Sequence, residues 1–195
     1  MPKAYDVVRD NRRHQWEKDR ARAPLAVRAR TGAVEHDTGL DSRDLVFHAS
    51  YREIPAPCDL ASTFGVPVGT VLLERTYRTR CADTAEPVEL VTSCLVRDRL
   101  AANPDLLDAT KEPWPGGTQH QLATVGIELD RIEERVTARA PTEDEARELG
   151  LPPGTPVIAL CKTSYGTDGR VVEVSRVTLP GHRSTLLFTT PLERW

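Results

Sequence analysis

The sequence ASTFGVPVGTV occupies residues 61–71, and a related sequence, ARELGLPPGTP, occupies residues 146–156. Each contains a glycine, a proline and a second glycine in the same order, and the two copies lie 150 − 65 = 85 positions apart. Downstream, Val88-Glu89-Leu90 corresponds to Val172-Glu173-Val174 with a slip of one position. A duplicated unit of this length predicts two similar half-sheets with a shared seam, and a pocket is expected at that seam.

Each copy of the repeat predicts a strand, a short helix and a two-stranded hairpin. The predicted strands are 45–54, 71–80, 88–96, 127–138, 157–165, 170–179 and, after the second copy, 186–190. The predicted helices of the repeat end at Gly65 and at Leu149, and the second begins with a capping box formed by Thr142 and Glu145. Hairpins this short join antiparallel strands, so the pattern predicts an α+β fold, with an antiparallel sheet of about six strands and helices on one face.

The composition is that of an ordinary globular protein. Of the 195 residues, 39% are hydrophobic and 28% are charged, and the formal net charge is −3. This balance argues against the broad basic surface of a protein that binds nucleic acid by itself. No apolar run approaches the roughly 20 residues that span a bilayer, and the N-terminus has no secretory apolar region, so a cytoplasmic location is expected.

The four cysteines give no sign of a metal site or of a disulfide framework. Cys58, Cys81, Cys94 and Cys161 are scattered without a C-x-x-C spacing. In a reducing cytosol they are expected to be free thiols, some of them buried, and no metal or cofactor is predicted.

The first 42 residues differ in composition from the rest of the chain. They are charged and poor in apolar residues, which predicts a polar arm or linker over 1–42 and a domain over 43–195. Within the arm, 12–23 is predicted to form a polar helix that carries Trp16, and 31–41 is typical of a loop because of its Gly, Thr and Asp content.

The second copy of the repeat carries a family resemblance. The stretch TEDEARELGLPPGTPV at 142–157, followed by GRVVEVS at 169–175, closely resembles the UTRA domain. That domain is the effector-binding half of HutC-type GntR transcription regulators and shares its fold with chorismate lyase. The resemblance covers roughly 45–190, and 12–19 resembles the linker that precedes UTRA in actinobacterial members.

A full member of that family begins with a winged helix-turn-helix. Here Met1 lies where the linker is expected, and no helix-turn-helix pattern is found. The resemblance therefore implies DNA contact only through a missing or separate winged helix-turn-helix, in either a stand-alone effector domain or a truncated regulator.

The first hairpin carries the predicted anion clamp. The resemblance implies that Arg78 and Arg80 hold an anionic group, as an Arg-x-Arg does in family members that bind phosphorylated sugars. Side chains at i and i+2 of a strand lie on one face, and guanidinium groups suit phosphate or carboxylate. The alternative is that both arginines are solvated charges on an edge strand.

Further candidate ligand-binding residues follow from the resemblance. They are Thr118 and His120 at the helix that begins after Gly116-Gly117, the paired strand glutamates Glu173 and Glu89, and, with weaker support, Arg183. The alternatives are an ordinary helix N-cap at Thr118, a structural or surface histidine at His120, and solvent-facing glutamates on the strands.

Two positions make the predicted pocket more apolar than that of the sugar-phosphate binders. Val91 stands where those members carry a glutamate, and Leu179 stands where they carry a tyrosine. The expected effector is therefore a small anionic metabolite with an apolar body, which Val91 and Leu179 would contact.

The leading functional prediction is a ligand-sensing domain that acts as a homodimer without enzymatic activity. No nucleophile elbow, zinc-protease motif or phosphate-binding loop is present, and the five histidines are dispersed. Two alternatives remain from the sequence: a chorismate lyase-like enzyme, and a dimerisation-only partner of a full-length regulator.

Overall fold

The computed structural model describes residues 6–193, which contain eight strands, six α-helices and five single-turn 3-10 helices. The strands are β1 (Val7–Asp10), β2 (Leu45–Pro55), β3 (Val71–Cys81), β4 (Pro87–Val96), β5 (Leu129–Arg139), β6 (Val157–Gly166), β7 (Val171–Pro180) and β8 (Ser184–Leu187). The helices are α1 (Arg13–Arg22), α2 (Leu25–Arg28), α3 (Ala33–Thr38), α4 (Cys58–Phe64), α5 (Gly117–Ala123) and α6 (Glu143–Glu148). The 3-10 helices are Ser42–Asp44, Arg97–Leu100, Pro104–Leu107, Ala109–Lys111 and Gly181–Arg183. The ends of the predicted arm and domain, residues 1–5 and 194–195, lie outside the described range.

The main sheet confirms the predicted α+β class. It has six strands in the order β2-β3-β4-β7-β6-β5, and all neighbouring strands are antiparallel. Each copy of the repeat supplies three adjacent strands and one helix. The two copies meet edge to edge through β4 and β7, so they form one continuous sheet and not two lobes that face each other.

The repeated glycines have a conformational reason. Gly65 (φ 63°) and Gly150 (φ 59°) adopt the left-handed conformation just after α4 and α6. This allows the next amide to bond back to the helix, from Val66 to the Ala61 carbonyl at 3.0 Å and from Leu151 to the Ala146 carbonyl at 2.9 Å. Both copies therefore end their helix in the same way, just before the chain enters the next strand.

The helices lie on both faces of the sheet, whereas the sequence predicted one face. On one face, Leu60, Ala61 and Phe64 of α4 pack with Leu72 and Cys94. On the other, Leu122 of α5 packs in a second cluster with Leu73 and Leu95. Neighbouring strand residues point to opposite faces, and Leu72 and Leu73 are both almost fully buried, so each face needs its own cover.

The arm is packed against the domain. β1 pairs in parallel with β8, and Val7 is buried in a small cluster with Cys81 and Val88. The predicted helix over 12–23 is confirmed as α1. The predicted loop over 31–41 instead contains α3, which ends at Gly39 in the left-handed conformation and is tied to α1 by an ion pair between Arg13 and Asp37.

Candidate functional site

A row of polar side chains crosses the whole six-stranded sheet on the face that carries α5, at one register level. From one edge to the other, each member is paired with the next: Tyr51 (β2), Arg75 (β3), Ser93 (β4), Ser175 (β7), Lys162 (β6) and Glu134 (β5). We call this set the polar row and this side of the sheet the row face. The seam between the two copies of the repeat lies at its centre, between Ser93 and Ser175.

The centre of the polar row is removed from solvent. Arg75 is 0% exposed, and Ser93 and Ser175 are each 2% exposed. Apolar residues lie on both sides of the row along the strands, with Leu73 and Leu95 in the α5 cluster and Leu160 and Val177 in a cluster at the opposite end. Burying polar groups between two apolar clusters is costly unless they are hydrogen-bonded, so each partner in the row matters.

Arg75 is a buried cation whose described partners are neutral. Its Nη1 donates to Gln121 Oε1 at 2.8 Å, and its Nη2 donates to the Leu106 carbonyl at 2.9 Å. The guanidinium carbon lies 5.0 Å from the centre of the Tyr51 ring. Its Nε has no hydrogen-bond partner within the described residues, and no Asp or Glu of that range forms an ion pair with it.

Glu112 holds together the groups that cover Arg75, which are Gln121 of α5 and the two tyrosines Tyr51 and Tyr77. Glu112 Oε1 accepts from Gln121 at 2.9 Å, from Tyr51 at 2.5 Å and from Tyr77 at 3.2 Å. Burial raises the pKa of both tyrosines, and the neighbouring Glu112 charge raises it further against the opposing effect of Arg75. Both phenols therefore remain protonated donors at neutral pH.

Glu173 lies next to the centre of the row, on the same face. Its carboxylate accepts from Ser93 Oγ at 2.6 Å and from Ser164 Oγ at 3.2 Å, and it pairs with Lys162 Nζ at 3.0 Å. Burial by itself would raise the pKa of Glu173, but Lys162 and Ser93 outweigh this and lower it. The carboxylate is therefore ionised and fully engaged.

At the outer end of the row, Glu134 is covered by the arm. It pairs with Arg9 Nη2 at 2.9 Å and with His14 Nε2 at 3.2 Å. Burial alone would raise the pKa of Glu134, but the contacts with His14 and Arg9 lower it to about 2. Conversely, burial would lower the pKa of His14, and the bonds to Glu134 and Glu17 raise it instead.

Several residues predicted from the sequence lie on the row face. The residues that the strand register places on that face are Glu89, Val91, Glu173 and Leu179. Thr118 lies one turn before Gln121 on α5, on the side of that helix that faces the sheet. Val91 and Leu179 belong to the apolar cluster with Leu160, so they lie at one end of the face and Glu173 lies nearer its centre.

The two arginines of the predicted clamp are not brought together with Glu173. Arg78 is three positions after Arg75 and therefore lies on the opposite face, where its Nη2 donates to Glu148 Oε1 of α6 at 3.0 Å. Arg80 follows a β-bulge between Thr79 and Arg80 and is exposed. The extra residue of this bulge is Val88 on β4, so β3 keeps its two-residue alternation and Arg80, paired with Val46, lies on the same face as Arg78. The hydrogen bond from Arg78 and the charge of Arg80 both lower the pKa of Glu148, so the two arginines come together on that carboxylate and not on the row face.

His120 and Arg183 have structural partners away from the row. His120 Nδ1 accepts from the indole of Trp114 at 2.8 Å, and burial together with Arg28 lowers its pKa. Arg183 donates to the Pro87 carbonyl and pairs with Glu86 at 3.2 Å.

Sequence reasoning missed Arg75, Lys162, Ser93 and Ser175 as site residues. Lys162, Ser93 and Ser175 interrupt strands with many apolar residues, which was the available signal, whereas β3 carries many polar residues and gave no such signal for Arg75. Their convergence depends on the strand order and register, which place β4 beside β7 across a separation of about 80 residues in the chain.

Two open cavities lie outside the row. One, of about 320 Å³, is lined by the loop at Gly126, Ile127 and Glu128, by the β6–β7 turn and by Arg99. The other, of about 270 Å³, continues from the same loop to Lys18 and Arg22 of α1. Within residues 6–193, no cluster of His, Cys, Asp and Glu is arranged to hold a metal ion, and no helix is long and apolar enough to cross a membrane.

Comparison with protein families decides the relationship. The profile of the UTRA domain matches residues 48–185, which include five strands of the main sheet and all of β2 except its first three residues. The chain belongs to the UTRA domain family. The polar row is therefore a feature of this UTRA domain, since its members from Tyr51 to Ser175 all lie within the matched range.

Relatives of this UTRA domain are named as transcription regulators. An uncharacterised HTH-type transcriptional regulator of Streptomyces coelicolor is 31% identical over 121 residues, which is 62% of this chain and 44% of that protein. An HTH-type transcriptional regulator of Mycobacterium tuberculosis is 28% identical over 132 residues, which is 64% of this chain and 44% of that protein. The chain thus spans less than half the length of these two relatives.

Solved structures share the fold. PhnF from Mycobacterium smegmatis superposes with a TM-score of 0.69 at 18% identity, covering 96% of this chain and 73% of that chain. The C-terminal domain of the histidine utilization repressor from Pseudomonas syringae superposes with a TM-score of 0.57 at 17% identity, covering 77% of this chain and 99% of that chain.

Proposed function

We propose that this UTRA domain is the sensor of a cytoplasmic transcription regulator and binds a small effector with an anionic group on the row face. The observation that carries the proposal is Arg75, a fully buried guanidinium with neutral partners and an unpartnered Nε. A buried guanidinium that forms no ion pair gains only longer-range attraction from Glu173, and a carboxylate or phosphate is the direct partner that it suits best.

The surroundings of Arg75 define the rest of the ligand. Lys162 lies three positions along the row from Arg75 and is a second cation, paired with Glu173, while Ser93 and Ser175 place hydroxyl groups between the two. The apolar cluster that contains Val91 and Leu179 offers contact area for an apolar body. A small acid with an aliphatic or aromatic body therefore fits the row face better than a sugar phosphate does.

Regulation would follow from a dimer of such domains. A ligand changes an equilibrium between two arrangements only by the difference in its affinity for them. The seam strands β4 and β7 carry the two central members of the row, Ser93 and Ser175, and belong to different copies of the repeat. We propose that effector binding at this seam shifts how two copies of the domain are arranged, and with them the DNA-binding units that a winged helix-turn-helix would supply.

A ligand screen with two matched variants tests the proposal. Thermal shift measurements across small carboxylates and phosphates should identify an effector, because ligand at 100 times its Kd stabilises the folded state by about 2.7 kcal/mol. Arg75→Met should then weaken binding by about tenfold or more, since hydrogen bonds to charged groups contribute about 1.5–3 kcal/mol. Arg78→Met, which removes a guanidinium on the opposite face, should leave the Kd unchanged within about twofold.

Other outcomes would favour the other functions. Release of pyruvate from chorismate would indicate a lyase. A protein that dimerises in light scattering but binds no acid in the screen would indicate a dimerisation module, and equal losses of affinity in Arg75→Met and Arg78→Met would place the site elsewhere.

A further inference from the structure

We infer that helix α1 is a reversible cover of the row face, and that a ligand of the polar row and a docked α1 exclude each other. The inference rests on the proposed effector site and concerns its regulation. It assigns to the arm a function beyond that of a linker, because the state of the site then determines whether the N-terminal segment is docked on the domain.

The first observation is where α1 lies. His14 on α1 contacts Glu134 at the outer end of the row, and Lys18 Nζ donates to the Leu129 carbonyl of β5 at 2.5 Å. The carbonyl of His14 accepts from Gln119 of α5 at 3.0 Å. Helices α1 and α5 therefore lie side by side and together form the roof of the row face.

The second observation is that the roof leaves little room. Arg75, Ser93 and Ser175 are at most 2% exposed, and both cavities described above are lined by residues outside the row. A ligand can reach these side chains only if part of the roof moves. The roof has two parts, so the question is which helix is held less strongly.

The two helices are held by different forces. Leu122 of α5 is 1% exposed and belongs to the apolar cluster with Leu73 and Leu95. None of the described residues of α1 belongs to any of the four apolar clusters. Apolar burial stabilises a docked helix strongly, whereas ion pairs gain little once the desolvation of both charges is counted.

Apart from the buried Ala21 and a ring contact of Trp16 with His36 inside the arm, the contacts of α1 are charged or polar. Arg13 pairs with Asp37 and Glu17, His14 lies 3.2 Å from both Glu17 and Glu134, and Arg22 pairs with Glu128 at 2.5 Å. Elements with few buried apolar contacts open at low free energy while the rest of the protein stays folded. Helix α1 is therefore the part of the roof that moves.

Mutual exclusion predicts a reciprocal effect. If ligand binding requires α1 to leave, any change that weakens the docking of α1 raises ligand affinity, and any ligand loosens α1. Arg9→Gln on β1, just before α1, removes one of the two partners of Glu134, at 2.9 Å, and so weakens the attachment of the segment that carries α1. Loss of a cation near the site would weaken anion binding through simple electrostatics, so tighter binding has the opposite sign and reports uncovering.

The experiment uses the full chain with inorganic phosphate as the probe anion. Phosphate Kd is measured by calorimetry, and hydrogen exchange of the α1 and α5 amides is followed by mass spectrometry with and without phosphate. The variants are Arg9→Gln, His14→Gln as a second way to loosen α1, and Arg12→Gln as the control. Arg12 has an exposed side chain that pairs with Asp10 within the arm, so the control makes the same charge change without touching the sheet.

We expect exchange in α1 to be at least tenfold faster than in α5, and to accelerate further with phosphate. Arg9→Gln and His14→Gln should bind phosphate about threefold or more tightly than the wild type, and Arg12→Gln should bind it equally or slightly less tightly. Arg75→Met should weaken phosphate binding by about tenfold or more, both alone and combined with Arg9→Gln or His14→Gln.

Two results separate the failure of the cover from the failure of the site. The first is phosphate binding that depends on Arg75 but has the same Kd in the wild type and in both loosened variants, and does not change α1 exchange. This result would overturn the proposed cover and leave the proposed site intact. Phosphate binding that is absent, or indifferent to Arg75, in every variant would overturn the site and the cover with it.

Discussion

Arg75 on β3 and Gln121 on α5 are joined by a hydrogen bond of 2.8 Å between Nη1 and Oε1, and Gln121 Nε2 donates in turn to Glu112 at 2.9 Å. Gln121 thus bridges a cation and a carboxylate that do not contact each other directly. An amide can do this because it presents a donor and an acceptor on one group. The bridge fixes α5 over the end of the polar row that contains Tyr51 and Arg75.

Replacing this bridge should cost substantial stability. In Gln121→Ala, one buried donor of Arg75 and one acceptor of Glu112 lose a partner, which should lower the free energy of unfolding by about 2–4 kcal/mol. Gln119→Ala on the same helix removes only the bond to the His14 carbonyl and should cost about 1 kcal/mol or less. Urea unfolding of both variants measures the difference, and equal losses would contradict a bridging role for Gln121.

Acid should weaken the attachment of the arm. The pKa of Glu134 is lowered from 4.5 to about 2 in the folded protein, so its contribution is present above pH 4.5 and is lost as the pH falls towards 2. A shift of this size corresponds to up to about 3 kcal/mol. Urea unfolding at pH 6 and pH 3 should show this loss, and Glu134→Gln should reduce it, whereas the exposed neighbour variant Glu133→Gln should keep it.

Alkaline pH should also weaken the docking of α1, because His14 loses its proton there. Because the pKa of His14 is raised in the folded state, its contribution is complete below the unfolded value of about 6.5 and is lost as the pH rises through the folded value. Exchange of the α1 amides, corrected for intrinsic rates, should therefore accelerate above neutral pH in the wild type. It should show no such transition in His14→Gln, and a transition that persists there would exclude His14 as its source.

The capping box of α6 is a local contribution that can be measured separately. Thr142 Oγ1 accepts from the Glu145 amide at 3.2 Å, and the Glu145 carboxylate accepts from the Thr142 amide at 2.8 Å. Thr142→Ala should lower the free energy of unfolding by about 1 kcal/mol. Thr63→Ala on the exposed surface of α4 is the matched control and should change it by less than about 0.5 kcal/mol.

The cysteines should differ sharply in reactivity. Cys58 is exposed, whereas Cys94 is buried and burial raises the pKa of its thiol to about 11. At pH 8, iodoacetamide should label Cys58 at least about tenfold faster than Cys94, because the thiolate is the reactive form. Peptide mass mapping over time gives both rates, and rapid labelling of Cys94 in the folded protein would contradict its placement under α4.

The local elements could be predicted from the sequence because their causes are local. Gly65 and Gly150 end helices through a backbone conformation that glycine adopts easily, and Thr142 with Glu145 starts one, so neither requires knowledge of the partner strand. The α3 helix was missed because its flanking glycines and polar residues are also typical of loops, and its ion pair between Asp37 and Arg13 joins two distant segments.

By itself, the sequence determined the repeat, the strand and helix order within it and the antiparallel α+β class, because periodicity and turn chemistry act over a few residues, whereas Glu173 became a candidate through the family resemblance. Only the tertiary structure decided that the two copies join through β4 and β7, that Arg78 and Arg80 face Glu148 of α6, and that Arg75 rather than Arg78 lies on the row face. The physical reason is that sheet register and face are set by the burial of both sides of the whole sheet, a condition that no single strand contains.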